Sequence, residues 1–513
     1  MVCGKHRLTY AQVAERVRKL AGVFKASGLR AGERVAILHH NCHVFFEAYF
    51  AASRTGLVLV PINYRLSARE LAYILRDSGA KVLMVHDESM DKAGEAMAQA
   101  QDEIALDKVI WSGAGNNFAH ALERYSPVEY ESALEDASEY TISPTQGDDA
   151  PAHLYYTSGT TGQPKGVVLT HTNVVTHAIG TIAEFQLSDS DVWGHIAPMY
   201  HLADAWATFA ITMVGGKHVM VPRFEAKLVL DMIRRERVTI SNLIPTMLNM
   251  LVNEPGAAES SYPSLRYMLS GGAPIAPELV RKIINTFGCE YVQTYGMTET
   301  SPYLTVSLLK DHLRTLPEEE RFKYQSRTGR EFITVDLKVV DEDGNEVKGD
   351  DSQVGEIWVR GPSITPGYWH NPEETAASFE GEWFKTGDLG VIDSEGYVNI
   401  VDRKKDLIVT GGENVYSTEV EHVLYEHPAV LEAAVVGVPD DTWGEAVKAV
   451  VAIKAGLTVD EDELIEFCKA RMAKYKAPKY VEFVKELPKT GTGKIFKKGL
   501  KDKYWAGYDK RVH

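Results

Sequence analysis

The sequence is poor in cysteine, and its few cysteines form no familiar pattern. They stand far apart without a Cys-x-x-Cys pair, at Cys3, Cys42, Cys289 and Cys468. A disulfide framework or a cysteine-rich zinc site is therefore not expected. Such sparing use of cysteine is typical of a reducing compartment, so we expect a cytoplasmic protein.

The sequence also lacks a long uninterrupted apolar run. The best candidate, residues 44–62, contains Glu47, Ser53 and Arg54, whereas a membrane-spanning helix needs about 20 predominantly apolar residues. The N-terminus shows no charged segment followed by an apolar one, as a secretory signal would. We therefore expect no integral membrane segment.

Positive charge is scarce over most of the chain. The 55 Lys and Arg residues are outnumbered by 71 Asp and Glu residues, and the net charge is −16. This balance disfavours nucleic acid as a partner, because phosphate contacts dominate such binding. Residues 469–511 are the exception, with 14 Lys and Arg against 4 Asp and Glu. This stretch indicates either a solvated basic surface or a binding surface for a polyanion such as ATP or CoA.

The length and the hydrophobic pattern predict more than one domain. A chain of 513 residues is too long for a single ordinary core. Strand-like apolar runs alternate with helical patterns through roughly the first 330 residues, which is typical of an α/β domain with mainly parallel sheets flanked by helices. The predicted strands include 34–38, 57–61, 81–85, 153–156, 217–221 and 291–293, and the predicted helices include 11–26 and 68–77.

After this α/β region the pattern changes to antiparallel hairpins. Residues 336–341 and 355–360 form one predicted hairpin, and residues 393–400 contain the turn of another. Between the hairpins, Asn371 is placed to cap a helix whose first residue is Pro372. An antiparallel β subdomain is expected here.

The last part of the chain predicts a small α+β module. Strands are expected at 433–438 and 446–454. Helices are expected to open at the capping boxes Thr418…Glu421 and Thr458…Glu461. We place the boundary at residues 402–405, which gives domains 1–402 and 403–513.

The segment 155–166 carries the strongest local signal. It reads Tyr-Tyr-Thr-Ser-Gly-Thr-Thr-Gly-Gln-Pro-Lys-Gly, between a predicted strand and a predicted helix at 172–182. Its backbone N–H groups and hydroxyls suit phosphate oxygens, and Lys165 adds a positive charge. Pro164 stands where a Walker loop requires glycine, so a P-loop kinase or ATPase is disfavoured. By itself such a segment is ordinarily only a turn.

The segment does not stand alone, because seven further motifs follow it in order. Together they resemble the adenylate-forming superfamily of acyl-CoA synthetases, luciferases and adenylation domains, most closely a fatty-acyl-CoA or aryl-CoA ligase. The resemblance covers nearly the whole chain. The further motifs are Pro198-Met199-Tyr200-His201, Ser270-Gly271-Gly272-Ala273-Pro274, Gln293-Thr294-Tyr295-Gly296-Met297-Thr298-Glu299, Lys385-Thr386-Gly387-Asp388, Asp402-Arg403-Lys404-Lys405-Asp406, Gly411-Gly412-Glu413-Asn414 and Pro488-Lys489-Thr490-Gly491-Thr492-Gly493-Lys494-Ile495.

The resemblance implies an enzyme that joins a carboxylic acid to AMP and then passes the acyl group to CoA. ATP and CoA would be co-substrates, and Mg²⁺ would be the cofactor. The residues implied in ATP and AMP binding are Thr157, Ser158, Gly159, Thr160, Thr161, Gly162, Lys165, Gly272, Ala273, Pro274, Gln293, Thr294, Tyr295, Gly296, Met297, Thr298, Asp388 and Arg403.

Each implied role suits the chemistry of its side chain. Tyr295 would stack on adenine, and Asp388 with Arg403 would hold the ribose. Thr298 would bind the α-phosphate. Glu299, with Thr157, would hold Mg²⁺, which prefers few carboxylates together with phosphate oxygens.

Lys494 is implied as the catalytic lysine of the mobile domain. It would lie between the acid and the α-phosphate during adenylation. Lys405 would be the hinge of a rotation that brings the CoA segment to the site, and that segment contains Gly411, Gly412 and Glu413. Read without the resemblance, Lys494 is a surface charge and residues 404–405 are a basic linker.

The acid is only loosely specified. His201 would position the carboxylate rather than act as a base, because a carboxylate needs no deprotonation at neutral pH. The implied pocket contains no Arg or Lys, which favours a monocarboxylic acid, a medium- or long-chain fatty acid first and an aryl acid second. The pocket residues are His201, Leu202, Trp206, Ile244, Ser270, Gly271, Met297, Ser301 and Pro302.

Residues 39–43, His-His-Asn-Cys-His, have the composition of a metal cluster. We interpret them instead as a strand-to-helix turn in which Asn41 caps the helix.

Other functions stay open at this point. A free-standing enzyme that loads a carrier protein, a luciferase-type monooxygenase and a catalytically silent binding protein share the same motifs. The silent protein predicts loss of Glu299 or Lys494, and both are present. The partners expected are small molecules, and a homodimer stays open.

Overall fold

The structure is a computed structural model that describes residues 1–100, 103–115, 120–141, 147–157, 163–273, 275, 277–440, 442–489 and 495–506. Its α-helices, in chain order, are α1 Tyr10–Ala26, α2 His43–Thr55, α3 Ala68–Ser78, α4 Met90–Ala100, α5 Tyr130–Asp136, α6 His171–Phe185, α7 Leu202–Val214, α8 Ala226–Glu236, α9 Pro245–Asn253, α10 Pro277–Phe287, α11 Glu318–Gln325, α12 Pro372–Ser378, α13 Ser417–Tyr425, α14 Glu461–Lys469 and α15 Lys497–Tyr504.

The strands, numbered in the same way, are β1 Val2–Cys3, β2 His6–Arg7, β3 Arg34–Leu38, β4 Val58–Ile62, β5 Val82–His86, β6 Lys108–Ser112, β7 Val128–Glu129, β8 Pro151–Thr157, β9 Lys165–Thr170, β10 Val192–His195, β11 Lys217–Met220, β12 Ile240–Leu243, β13 Tyr267–Ser270, β14 Glu290–Gly296, β15 Tyr303–Val306, β16 Gly329–Glu331, β17 Asp336–Val340, β18 Gly355–Arg360, β19 Gly367–Tyr368, β20 Phe379–Glu380, β21 Trp383–Ile392, β22 Tyr397–Arg403, β23 Ile408–Thr410, β24 Glu413–Val415, β25 Val430–Asp440, β26 Gly444–Ile453 and β27 Tyr480–Val484.

The chain divides into two compact units. The first contains Met1–Leu337 and Val359–Phe384, and the second contains Lys338–Trp358 and Lys385–His513. The fold class predicted from the sequence is confirmed: a large α/β part precedes a small α+β part. The domain boundary expected at residues 402–405 stays a prediction.

One sheet of the first unit has the strand order β7-β6-β5-β3-β4-β8-β9-β19. From β7 to β8 the neighbours run parallel, and β9 and β19 run antiparallel to their neighbours. Apart from Arg34 at the start of β3, strands β3 and β4 are apolar and buried, as helices on both faces of a parallel sheet require. The chain leaves β3 through α2 to β4 on one side, and then returns through α3 to β5 on the other side. The strand order therefore reverses between β3 and β5.

The second sheet of the first unit has the order β16-β15-β14-β13-β12-β10-β11-β1-β2. Strands β10, β12, β13 and β14 are parallel to one another. Their carboxyl ends therefore lie side by side at one edge of the sheet, where open α/β sheets bind ligands.

The second unit contains the antiparallel part and the small module. Strands β21 and β22 form the hairpin expected around residues 393–400. The module has a sheet in the order β24-β23-β26-β25, with β27 added next to β26, and helices α13, α14 and α15 complete it.

Most predicted elements are confirmed, with ends that shift by one to several residues. Asn371 caps α12 as expected, accepting a hydrogen bond from Glu374 N at 3.1 Å. Two other predicted caps are wrong. The Thr418 hydroxyl donates to Val401 O, so it is not used to cap α13, which begins at Ser417. Helix α14 is capped by Asp460 instead of Thr458.

No helix among the described residues has the length and apolar character needed to cross a membrane.

Candidate active site

Four predicted site segments follow neighbouring parallel strands of the second sheet. His201 lies beyond β10, Ile244 follows β12, Gly271 follows β13, and Tyr295 is near the end of β14. Register pairs Leu243 with Ser270 and Ser270 with Gln293. Segments that are up to 94 residues apart in sequence therefore meet at one edge, as the shared site requires.

Two glycines let the chain segments approach one another at this edge. A Cβ on Gly296 would lie 1.7 Å from Pro302 O, and a Cβ on Gly271 would lie 2.5 Å from Thr294 Oγ1. Larger residues would force the strand ends apart. Thr294 Oγ1 also donates to Ser270 O at 3.1 Å, which holds the two segments together. Close packing therefore explains why glycine occupies these two positions, independently of any ligand.

The rest of the nucleotide-side motifs lie in the same region. Gln293 is buried, and its backbone N–H donates to Ser307 Oγ at 2.8 Å. Gly272, two residues after the end of β13, adopts a left-handed φ of 80°. Ala273 follows it, whereas Pro274 lies outside the described residues.

Glu299 is buried, and it is held by one hydrogen bond to its carboxylate and another to its backbone. It lies in the short 3₁₀ turn Thr298–Thr300, between Met297 and Ser301. Tyr368 donates a 2.9 Å hydrogen bond to Glu299 Oε1, and Thr365 N donates to Glu299 O at 2.7 Å. Burial and the Glu299 carboxylate raise the pKa of Tyr368 well above its usual value, so its hydroxyl stays a donor at neutral pH.

The two strands that flank the Gly/Ser/Thr segment pair with each other. Strands β8 and β9 run antiparallel, with Thr157 opposite Lys165 at the open end. Between these two residues, Ser158, Gly159, Thr160, Thr161 and Gly162 lie outside the part of the chain that the structure describes. The hairpin fixes both ends of the predicted phosphate loop.

Lys165 lies against Tyr368, the residue that donates to Glu299. Its Nζ forms an ion pair with Glu374, and its Nζ lies 5.6 Å from the ring centroid of Tyr368. The Lys165 side chain is 10% exposed, so its charge is partly shielded from water. Tyr368 thus contacts both a predicted phosphate ligand and the predicted Mg²⁺ ligand.

The segment before His201 is anchored by Asn41, in a way that the sequence did not indicate. Asn41 Oδ1 accepts from Met199 N at 2.7 Å, and its Nδ2 donates to Ala197 O at 2.8 Å. The prediction that Asn41 caps α2 is wrong, because Cys42 occupies that position. The buried Asn41 amide is instead hydrogen-bonded to residues 197 and 199, and these bonds join the two chain segments. His201 itself is at the N-cap of α7, with its ring 4.6 Å from that of Tyr200.

The predicted acyl-pocket residues differ in their exposure. Leu202, Trp206 and Ser301 are buried, whereas His201, Ile244 and Met297 are half-buried. Trp206 belongs to an aromatic cluster, with its ring 4.8 Å from Trp193 and 5.5 Å from Tyr303. In this structure Trp206 is part of the core behind the site edge.

In the second unit, Asp388 and Arg403 face one another on neighbouring strands. They are register partners of β21 and β22, and Arg403 Nε lies 3.4 Å from Asp388 Oδ1. Asp388 is buried, while the Arg403 side chain is 52% exposed. Thr386 Oγ1 accepts from Asp388 N at 3.1 Å and fixes the strand at this point.

The predicted hinge and CoA segments also lie in the second unit. Lys405 is in a short 3₁₀ turn, and its carbonyl accepts from Lys501 Nζ at 3.3 Å. Gly411 and Gly412, with φ of 59° and 85°, form the turn between β23 and β24, and Glu413 follows. Both positive φ values favour glycine, as in a tight hairpin turn.

Lys494 lies outside the described residues, as do residues 490–493. The chain on either side of them is described. Lys489 pairs with Ile495, and Phe496 N donates to Pro488 O at 2.7 Å. The base of the predicted lysine loop is therefore closed by backbone pairing within the small module.

Two residues of the site were missed by reasoning from the sequence. Tyr368 is 69 residues from Glu299, and Glu374 is 209 residues from Lys165. A short-range spacing cannot indicate such contacts. Chemically, the arrangement gives a buried carboxylate, a shielded ammonium and a phenol donor beside a Gly/Ser/Thr hairpin, which suits a metal-bound polyphosphate.

Comparison with known proteins gives two matches to protein families. A family described as AMP-binding enzyme matches residues 1–369, and one described as AMP-binding enzyme C-terminal domain matches residues 419–494.

Similar proteins span almost the whole chain. A feruloyl-CoA synthase from an Amycolatopsis species is 37% identical over 96% of this chain and 93% of its own length. The long-chain-fatty-acid–CoA ligase FadD13 of Mycobacterium tuberculosis is 37% identical over 98% and 94%. The solved structure of o-succinylbenzoate coenzyme A synthetase from Bacillus subtilis, in complex with ATP and a magnesium ion, aligns with a TM-score of 0.82 at 31% identity, covering 97% of this chain and 95% of that one.

Proposed function

The chain belongs to the AMP-binding enzyme family as an AMP-forming acid–thiol ligase that uses ATP and CoA, and we propose that its acid is a medium- or long-chain fatty acid. The reaction would form an acyl-adenylate with release of pyrophosphate. CoA would then take the acyl group and AMP would leave.

The observation that supports the adenylation site most strongly is the Lys165–Tyr368–Glu299 array. Carboxylate attack on ATP brings two anions together, so cations and donors around the α-phosphate must offset their repulsion. Lys165 offers a cation at the base of the Gly/Ser/Thr hairpin. On this proposal ATP replaces Glu374 as the partner of Lys165.

The residues present fit Mg²⁺. Glu299 supplies the carboxylate oxygens that this ion prefers, and Tyr368 orients that carboxylate by a 2.9 Å hydrogen bond. Glu299 and Thr157 would hold the ion, with phosphate oxygens as further ligands. When bound, Mg²⁺ would neutralise phosphate charge. Thr298, adjacent to Glu299, would bind the α-phosphate.

In the second unit, Asp388 and Arg403 would hold the ribose, and Lys494 would bridge the acid and the α-phosphate. The pairing of Asp388 with Arg403 at 3.4 Å would hold the carboxylate in place to accept from the two ribose hydroxyls. For thioester formation, Lys405 would act as the hinge, and Gly411, Gly412 and Glu413 would line the CoA path.

The fatty-acid proposal rests on the uncharged walls of the predicted acyl pocket. His201, Ile244 and Met297 are half-buried at the site edge. An aryl acid is the second candidate, because a feruloyl-CoA synthase is as similar to this chain as a long-chain ligase is.

A panel of acids tests this choice. The purified protein with ATP, Mg²⁺ and CoA is given acids from acetate to palmitate, together with benzoate and ferulate, and AMP release is followed. We expect kcat/KM to rise about fourfold for each methylene that becomes buried. A preference for ferulate over every alkyl acid would contradict the fatty-acid proposal.

A further inference from the structure

The first sheet has a switch point that the reaction proposed above does not use. The strand order reverses between β3 and β5, since α2 and α3 lead to opposite sides of β3. In doubly wound sheets, ligands bind in the crevice outside the carboxyl ends of the two strands at such a point. The residues that follow β3 and end β5 are therefore candidates for a site.

Histidines and carboxylates stand at this point. His40 comes two residues after β3, His86 is the last residue of β5, and Glu88 follows shortly after it. His40 Nε2 lies 2.9 Å from Glu88 Oε2, and the rings of His40 and His86 have centroids 5.0 Å apart. One potential ligand atom from each of the three residues lies within 4.8 Å of the other two.

The surroundings hold these side chains in place. His86 Nδ1 lies 2.9 Å from Asp87 Oδ1, and Asp87 Oδ2 accepts from Gly115 N at 2.6 Å. Metal-binding histidines commonly have such a carboxylate on their second nitrogen, which fixes the ring. The ring of His40 packs 4.2 Å from that of Tyr64.

His40 provides a second and independent sign of a ligand. It is 8% exposed, and its Nδ1 is buried without a hydrogen-bond partner among the described residues. A buried polar atom without a partner is costly. A cation bound at Nδ1 would relieve that cost.

We propose that His40, His86 and Glu88 bind one divalent transition-metal ion of the zinc type. Two imidazoles and a carboxylate are a ligand set that Zn²⁺ and Co²⁺ accept, whereas Mg²⁺ and Ca²⁺ prefer oxygens throughout. Tetrahedral zinc would place the ligand atoms about 3.3–3.5 Å apart, so the more distant atoms of this set, which lie within 4.8 Å of one another, must move closer. The Glu88 side chain is 48% exposed and can move toward the histidines.

Arg223 bears on whether this site would bind a cation or an anion. Its guanidinium pairs with Glu88, and its side chain is 63% exposed. For a metal ion, Arg223 is a competitor whose exposed ion pair costs little to break. For an anion, Arg223 would be a ligand, but the anion would then face the carboxylates of Asp87 and Glu88. The two carboxylates favour the cation.

The test uses the full chain without a histidine tag, stripped of metal with a chelator. Zinc binding is measured by calorimetry in the absence of ATP and Mg²⁺, so the result is independent of the proposed ligase reaction. We expect one zinc ion per chain and a rise in Tm with zinc. Glu88→Gln and His86→Asn should weaken zinc binding at least about tenfold, and Co²⁺ should give a tetrahedral absorption spectrum that both variants lose.

Arg223→Ala should bind zinc as tightly as the wild type or more tightly. The matched control is Glu463→Gln, because Glu463 is similarly exposed and faces another buried histidine, His427, at 3.5 Å. It should leave zinc affinity unchanged. Equal zinc affinity in the wild type and Glu88→Gln would overturn the proposal. So would Tm stabilisation by inorganic phosphate that Arg223→Ala abolishes, since that result indicates an anion site.

Discussion

The hydroxyl of Tyr368 donates a 2.9 Å hydrogen bond to the carboxylate of Glu299, and Lys165 lies over the face of the same ring. One aromatic residue therefore orients the predicted metal ligand and packs against the predicted phosphate ligand. The Tyr368 side chain comes from β19 at the end of the first sheet, while Glu299 follows β14 of the second sheet. The site of the first unit thus depends on contacts between its two sheets.

Tyr368→Phe tests this relationship. Loss of the hydroxyl should leave the Glu299 carboxylate less well oriented, so the Mg²⁺ concentration needed for half-maximal pyrophosphate release should rise about 10- to 100-fold. Tyr10→Phe is a matched control, since its hydroxyl donates to Gly216 O away from the site. An unchanged Mg²⁺ requirement in Tyr368→Phe would show that this hydrogen bond does not serve metal binding.

Asp388→Asn tests the ribose assignment. The wild type should prefer ATP to 2′-deoxy-ATP, because a site built to bond a hydroxyl rejects the analogue that lacks it. In the variant, the ratio of kcat/KM for ATP to kcat/KM for 2′-deoxy-ATP should fall at least about tenfold. Asp343→Asn, in an exposed turn of the same unit, should keep the wild-type ratio. If Asp388→Asn prefers ATP to 2′-deoxy-ATP as strongly as the wild type does, Asp388 does not bind the ribose.

Lys494→Ala separates the two half-reactions. Adenylation should fall about 10²- to 10³-fold, as for loss of one group that stabilises transition-state charge. Formation of the thioester from supplied acyl-adenylate should stay near the wild-type rate. Lys498→Ala, on α15, is the control and should affect neither step. Equal losses in both steps would contradict a role confined to adenylation.

Gly411→Ala tests the CoA segment. The new Cβ would lie 2.7 Å from the Trp443 ring, at a φ of 59°. We expect thioester formation to slow while adenylation is kept, with a loss of stability of about 1–2 kcal/mol from the left-handed backbone. Gly344→Ala has a similar positive φ but no atom within 4 Å of its Cβ. Gly344→Ala should therefore lose stability without slowing thioester formation. If Gly411→Ala and Gly344→Ala slow thioester formation to the same extent, the cause is backbone strain and not obstruction of the CoA path.

Local sequence signals predicted the fold well where burial alone determines the structure. Strand β3 matches the predicted 34–38 throughout, because an apolar run buried on both faces has few other options. Caps were less predictable where side chains find partners far along the chain. Glu421 accepts from Val435 N at 2.7 Å and pairs with Lys497 at 2.6 Å, so it cannot complete a capping box with Thr418.

The candidate site was predictable in its motifs but not in its contacts. The resemblance to a family indicated Glu299 and Lys165, whereas Tyr368 and Glu374 come from distant parts of the chain. Asn41 shows the same limit. Its position after a strand suggested a helix cap, but its amide is used to hold Met199 and Ala197. Such roles depend on tertiary contacts that a local pattern does not contain.

The most direct test of the central claim follows an oxygen atom. The enzyme is given a fatty acid labelled with ¹⁸O in its carboxylate, together with ATP, Mg²⁺ and CoA, and the nucleotide product is analysed by mass spectrometry. Attack of the carboxylate on the α-phosphate predicts AMP that carries one ¹⁸O atom, with unlabelled pyrophosphate. ADP together with ¹⁸O in inorganic phosphate would instead show attack on the γ-phosphate and would contradict the adenylate mechanism.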